Sequence, residues 1–210
     1  MISSTVSVDA EESSRMINDT LSAHRESIDS ISGRGGRRRR LPATGVDRQQ
    51  IQRQATLVRL LSITESFCTE RLLTEIESMM SATASDHVAV QKIWDDSHGR
   101  AIATWDALHK AYHAWLDVPK KTWTQLLDLT NARNAVAHGH GQLTWKQQRG
   151  DLKVLEEKLN NHEITLDGTR LILSEASISH AAALCRTFII ELDAILKGLK
   201  LPPMVAVTTT

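Results

Sequence analysis

The sequence predicts an all-α protein: an antiparallel bundle of long helices with one small β-hairpin inserted before the C-terminal helix. Apolar residues recur at three- and four-residue spacing over long stretches of the 210-residue chain. Four prolines leave these stretches nearly uninterrupted, which favours long helices over many strands. Asp167-Gly168 lies between two short alternating runs and predicts the two-residue turn of a hairpin. The hydrophobic fraction of 41% is enough to build one core.

Residues 1–46 differ in composition from the rest and are expected to form a flexible N-terminal arm. Residues 1–32 are polar and Ser-rich, so their thinly spaced apolar residues support a helix only weakly. Residues 33–40 consist only of glycine and arginine and end in four consecutive arginines, which is typical of a linker. This segment either binds an RNA or DNA backbone or is a solvated tether, and its candidate phosphate-binding residues are Arg37, Arg38, Arg39 and Arg40.

The helical domain is expected to span residues 47–200. Asp47 can cap a first long helix that runs to about residue 80. Ser85-Asp86 can cap a second, which runs to about residue 116 and bends at His98-Gly99. Pro119 suits the first turn of a third helix, which ends at His138 before Gly139.

The C-terminal part of this domain contains the hairpin. Thr144 can cap a short helix over residues 145–159, interrupted by Gly150. The hairpin then occupies residues 162–173, and a last helix runs over residues 176–199. Residues 201–210, which contain Pro202-Pro203, form a C-terminal tail that is expected to fray.

Composition bears on partners and location. The formal net charge is zero, so binding of nucleic acid must be argued from how charge is distributed. Cys68 and Cys185 lie within apolar helical patterns, which favours two buried, reduced thiols, although a disulfide between them stays open. The sequence has no apolar run long enough to cross a bilayer and begins without the pattern of a secretory signal. We therefore expect a cytoplasmic protein with no membrane partner.

One heptapeptide, RNAVAHG over residues 133–139, carries the clearest chemical signal. Arg133 offers a fixed positive charge for a phosphoryl transition state, and His138 offers a side chain that can carry a proton. The two lie five positions apart, so an ideal helix would turn their side chains roughly 140° apart. The sequence therefore predicts that a left-handed exit at Gly139 is needed to turn His138 toward Arg133.

This heptapeptide resembles the Arg-x(4–6)-His motif of the HEPN superfamily. The hairpin and closing helix that follow it resemble the RiboL-PSP-HEPN branch in particular, and the likeness covers roughly residues 50–200. The resemblance implies a helical bundle that forms a homodimer, in which two copies of the motif meet as one composite site. It further implies a metal-independent endoribonuclease in a defence or toxin–antitoxin context, with RNA as substrate and an antitoxin or defence protein as a possible partner.

The resemblance assigns catalysis to Arg133 and His138, with Asn134 as the polar residue that follows the arginine. No cofactor and no metal are implied. Some members carry a tyrosine two residues after the histidine, which a partner enzyme modifies. His140 stands at that position here, so we do not expect this form of neutralisation.

Other residues near the motif are weaker candidates. His140 can assist at the site, and Trp145, in a polar loop just after the motif, is the tryptophan best placed to stack on RNA. The other tryptophans are expected in the core or an interface. His109 and His113 share a helix face, but they lack the accompanying carboxylate of common metal sites and are expected to be surface or interface residues.

Two functional hypotheses remain open at this point. In the first, residues 133–138 form half of a ribonuclease site. In the second, Arg133 pairs with a carboxylate such as Asp128, His138 only caps a helix, and the chain is a non-catalytic helical module that binds RNA, nucleotide or protein.

Overall fold

The computed structural model describes residues 6–33, 47–82 and 88–198. The described residues form helices in an all-α arrangement with one two-stranded antiparallel hairpin, as the sequence predicts. The elements, in chain order, are α1 (Val8–Gly33), α2 (Arg48–Ala82), α3 (Val88–Ala101), α4 (Trp105–Leu116), a 3-10 turn (Lys120–Trp123), α5 (Thr124–Gly139), α6 (Trp145–Gln148), α7 (Leu152–Asn160), β1 (Ile164–Asp167), β2 (Arg170–Leu173) and α8 (Glu175–Leu196).

The N-terminal segment differs from the expected flexible arm. Val8–Gly33 is a continuous helix that packs against α2 and α8, and its Ala10 and Ile17 are fully buried. The sequence predicts this helix only weakly because the face of α1 that contacts the core is a narrow stripe of side chains, and some of those side chains are polar. The arginines at positions 37–40 lie outside the described residues.

Polar contacts of the buried His24 and its neighbours hold α1 in this place. His24 is only 1% exposed; its Nδ1 lies 2.9 Å from the Thr56 hydroxyl on α2, and its Nε2 lies 3.1 Å from a Glu175 carboxylate oxygen on α8. Arg53 donates to the other oxygen of Glu175 at 2.8 Å. Burial raises the pKa of Glu175, but hydrogen bonds from Arg53 and His24 outweigh it and lower that pKa overall. One carboxylate thus joins three helices.

A second carboxylate holds the start of α1. Asp193, buried on α8, accepts a hydrogen bond from the backbone N–H of Ser7 at 2.8 Å, just before the helix begins. Lys197 lies 3.3 Å from the same oxygen. An N–H group at the start of a helix has no partner within the helix, so a buried carboxylate there satisfies a donor and favours the helix dipole.

The helix boundaries in the middle of the chain also differ from those predicted. The second predicted helix is two helices, because Thr104 accepts a hydrogen bond from the backbone N–H of Ala107 and begins α4 as a new helix. Residues 98–99, where the sequence predicts a bend, lie within the helix α3. Pro119 is extended, with ψ 135°, so the third predicted helix opens with the 3-10 turn and α5 starts only at Thr124. The predicted cap at residues 85–86 lies outside the described residues.

The predicted caps at Asp47 and Thr144 are confirmed, and so is the hairpin. Its turn is shifted by one residue: Asp167 pairs with Arg170, so the two turn residues are Gly168 and Thr169. Gly168 has φ +60°, as the first position of such a turn requires. The buried Gln50 of α2 then exchanges two hydrogen bonds with the backbone of Leu173 and fixes the hairpin to the bundle.

The cysteines are free and buried. Burial raises the pKa of Cys185 to about 12 and that of Cys68 well above its ordinary value. Both thiols are therefore protonated at neutral pH and are core groups rather than nucleophiles.

A histidine pair links the turn before β1 to α8 and predicts that the fold is sensitive to acid. The buried His162 lies 3.1 Å from His180, from Nδ1 to Nε2, and burial followed by repulsion from His180 lowers the pKa of His162. The unfolded chain therefore takes up protons that the folded chain excludes as the pH falls below about 6.5. We expect the free energy of unfolding to fall between pH 7.5 and pH 5, as measured by urea denaturation.

The variant His162→Asn should flatten this decline, while His140→Asn, which replaces an exposed histidine, should keep it. Burial also lowers the pKa of His109, so part of the decline will persist in His162→Asn. If the free energy of unfolding of His162→Asn fell with pH as steeply as that of the unaltered chain, the histidine pair would not be the cause of the acid sensitivity.

Candidate functional site

The candidate site lies at the C-terminal end of α5. One face of this helix is buried through Leu126, Leu129, Ala132 and Ala135, which fix its position in the core. Arg133 and Asn134 are half-buried beside that face, and His138 is exposed in the last turn. The motif thus combines an anchored arginine with a solvent-accessible histidine.

The backbone beyond the motif is held by the hairpin. α5 continues through Gly139, and the left-handed residue is His140, with φ 54° and ψ 39°. Gly141 follows with φ 85°, a backbone conformation that favours glycine, and a Cβ there would also require the end of the Gln54 side chain to shift. Its carbonyl accepts from Leu171 of β2 at 2.8 Å, which fixes the end of α5 against the sheet.

Arg133 lies at the centre of the site. Its Nη1 is 3.3 Å from the Asn134 side-chain oxygen and 3.3 Å from His138 Nε2. Its Nη2 is 3.9 Å from a carboxylate oxygen of Glu65 on α2. Its Nε is buried with no hydrogen-bond partner among the described residues. The guanidinium is therefore held by one weak ion pair and two long hydrogen bonds, which leaves donor capacity for an anion.

The contact with Arg133 places His138 Nε2 beside the cation. A guanidinium has five donors and no acceptor, so in this 3.3 Å contact Arg133 donates and His138 Nε2 accepts. A phosphate bound at Arg133 would consequently lie beside a nitrogen that can accept a proton.

The structure brings Arg133, Asn134 and His138 together, although the predicted reason was wrong. The helix does not need a left-handed exit at Gly139, because the long arginine side chain crosses the angle between the two positions. Glu65 was missed by the sequence analysis, since nothing in the spacing of α2 links it to a motif almost 70 positions away. The predicted alternative partner, Asp128, instead pairs with Lys158 at 2.8 Å.

The chain matches no known family model, no curated protein and no solved structure. Its function is therefore inferred from the residues of the site.

The weaker candidates lie around the same helix end. His140 is exposed at the left-handed residue. Trp145, at the start of α6, is 72% exposed, and the Arg149 guanidinium lies 4.5 Å from its ring centroid. One face of this indole is thus occupied by a cation, while most of the ring is open to solvent.

The sequence predicts that the tryptophans other than Trp145 lie in the core or an interface. Trp123 is fully buried against Tyr112, Phe188 and His109, whereas Trp115 is 40% exposed and packs edge-on against Trp94. Within residues 6–33, 47–82 and 88–198, no cluster of three or more His, Cys, Asp or Glu side chains could hold a metal ion. None of the helices in these ranges is long and apolar enough to cross a membrane.

Proposed function

We propose that the chain is a metal-independent endoribonuclease of the HEPN type that acts as a homodimer. The observation that carries this proposal is the contact of the Arg133 guanidinium with both Asn134 and His138 at an exposed helix end. These groups can bind a phosphate and move a proton beside it without a metal ion.

The proposed reaction is attack of an RNA 2′-hydroxyl on the adjacent phosphorus. A histidine Nε2 takes the proton of the 2′-hydroxyl as the new O–P bond forms, and Arg133 stabilises the charge on the phosphorane oxygens. The bond to the 5′-oxygen then breaks, and that oxygen takes a proton from an imidazolium. The products are a 2′,3′-cyclic phosphate and a free 5′-hydroxyl.

The need for two proton carriers supports the homodimer. One copy of the motif offers a single histidine, His138, in contact with the arginine, whereas the reaction uses a base on one side of the phosphorus and an acid on the other. A second copy of α5 facing the first would supply the missing group. A cytoplasmic location and neutralisation by an antitoxin or defence protein belong to the same proposal.

The test is cleavage of a fluorescent single-stranded RNA by the purified chain in excess EDTA. We expect cleavage that resists chelation and leaves 2′,3′-cyclic phosphate ends, identified by mass spectrometry. A DNA strand of the same sequence is the matched control and should stay intact, because it lacks the attacking hydroxyl. An intact RNA strand would favour the alternative, a non-catalytic helical module for binding RNA, nucleotide or protein.

A further inference from the structure

A half-open groove with a volume of about 390 Å³ adjoins the candidate site. It lies between the end of α5, the short helix α6 and the start of α7, and Asn134 of the motif forms part of its wall. The same Asn134 contacts Arg133, so one side chain belongs to both the groove and the candidate catalytic cluster. A groove of this size is in the range that holds a small ligand.

Hydrogen bonds between and within the helices hold the walls of the groove in position. The Gln147 side chain donates to the Asn131 backbone carbonyl of α5 at 2.8 Å and also completes the capping box of Thr144. The Asn131 amide donates to two carbonyls of its own helix, which leaves its side-chain oxygen as an acceptor. The position of α6 against α5 is therefore set before any ligand binds.

The charges of the groove favour an anion. Lys146 and Lys158 both line it. Lys158 pairs with Asp128, whereas Lys146 is exposed and forms no ion pair within the described part of the chain. The one carboxylate in the lining is that of Asp151, which accepts hydrogen bonds from the backbone N–H groups at the start of α7. Its charge is partly balanced by that helix end.

The remaining wall is apolar. Val154, 46% exposed, and the buried Leu155 line the groove from α7. Trp145 precedes Lys146 directly and is exposed beside it. Apolar side chains next to the Lys146 ammonium group and amide side chains match the parts of a nucleotide, which has an apolar base face, an anionic phosphate and polar base edges.

We propose that this groove binds a nucleotide of single-stranded RNA that flanks the scissile phosphate. The Lys146 ammonium binds its phosphate, Val154 and Leu155 contact its base, and Asn134 lies between this nucleotide and the catalytic arginine. The position next to the scissile phosphate rests on the proposed function, whereas binding of RNA in the groove is measurable without catalysis.

The experiment uses a fluorescein-labelled single-stranded RNA whose 2′-hydroxyls are all methylated, so that cleavage is blocked. Its Kd for the full chain is measured by fluorescence anisotropy at several salt concentrations. For Lys146→Ala we expect Kd to rise about tenfold and the slope of log K against log salt to fall by about 0.7, the value for loss of one phosphate contact to a single strand. Lys153→Ala removes an exposed lysine of α7 outside the groove and should change neither quantity.

A second matched pair tests the apolar wall. Val154→Glu places a carboxylate in the groove and should weaken binding more than Lys146→Ala does. Leu152→Glu changes an equally exposed residue of α7, at 44%, that does not line the groove, and should bind as the unaltered chain does. Equal effects within either pair, or no binding of the methylated RNA by the unaltered chain, would overturn the groove assignment.

The two proposals fail separately. Binding that depends on Lys146, together with no cleavage of unmodified RNA, would leave the groove in place and refute the ribonuclease. Cleavage of unmodified RNA with an unchanged KM in Lys146→Ala would support the ribonuclease and refute the groove.

Discussion

His138→Ala should lower the rate of RNA cleavage by about 10²- to 10⁴-fold, the usual contribution of a general acid or base. The reason is that His138 Nε2 lies 3.3 Å from the guanidinium that would hold the phosphate, so its loss removes the proton carrier at the reacting atoms. The measurement is the single-turnover cleavage rate of a fluorescent RNA at saturating protein. Because His138 is exposed, the circular dichroism spectrum and thermal midpoint should not change.

The matched control is His140→Ala. It removes another exposed histidine only two residues away, and the histidine that is hydrogen-bonded to Arg133 is His138. We expect a much smaller loss, consistent with a role in substrate contact at most. If His140→Ala abolished cleavage and His138→Ala did not, the assignment of the proton carrier would be wrong.

The same assay separates two roles of Arg133. Arg133→Ala should cost about 10²- to 10³-fold in rate, as loss of a charge-stabilising donor typically does. Arg133→Lys keeps the positive charge but loses the planar fork that reaches Asn134 and His138 together, so we expect it to remain severely impaired. Full activity in Arg133→Lys would mean that only the charge is needed.

Trp123→Ala should lower the free energy of unfolding by about 3–5 kcal/mol, the usual cost of truncating a large buried aromatic side chain. Trp123 is fully buried directly before α5, with ring centroids 4.9 Å from Phe188 and 5.2 Å from Tyr112. Its loss leaves a cavity where α4, α5 and α8 meet. The measurement is urea denaturation followed by circular dichroism.

Trp145→Ala is the control for this truncation. The Trp145 side chain is 72% exposed, so its removal should change the free energy of unfolding by no more than about 0.5 kcal/mol. Comparable losses in the two variants would contradict the burial described here. Trp123 supports the first turn of α5 and not the motif at its other end. The Trp123→Ala molecules that remain folded should therefore cleave RNA at the same rate as the unaltered chain.

The helix positions and caps could be predicted because their causes are local. The capping residues Asp47 and Thr144 and the turn that follows Asp167 each act within a few residues, and periodic apolar residues mark which helix faces are buried. Helix ends were less predictable. The apolar pattern predicts one helix with a bend at Gly99. Instead, Thr104 caps a new helix and divides the segment into two.

The contribution of α1 could not be predicted, since it depends on partners distant in sequence. His24 contacts the carboxylate of Glu175, and the backbone N–H of Ser7 donates to the buried carboxylate of Asp193; both carboxylates lie more than 150 positions away in the sequence. These contacts bury a helix whose own apolar stripe is narrow. Local patterns do not contain that information.

The sequence by itself determined the helical class, the hairpin and the identity of the Arg133, Asn134 and His138 cluster. Residue type and spacing were sufficient, because periodicity and chemistry are properties of the chain itself. Only the tertiary structure decided how the cluster is assembled. It showed that the arginine side chain reaches His138 within an unbroken helix, that Glu65 approaches from α2, and that a groove opens at Asn134. These features depend on side-chain reach and on the packing of separate helices, which spacing along the chain does not specify.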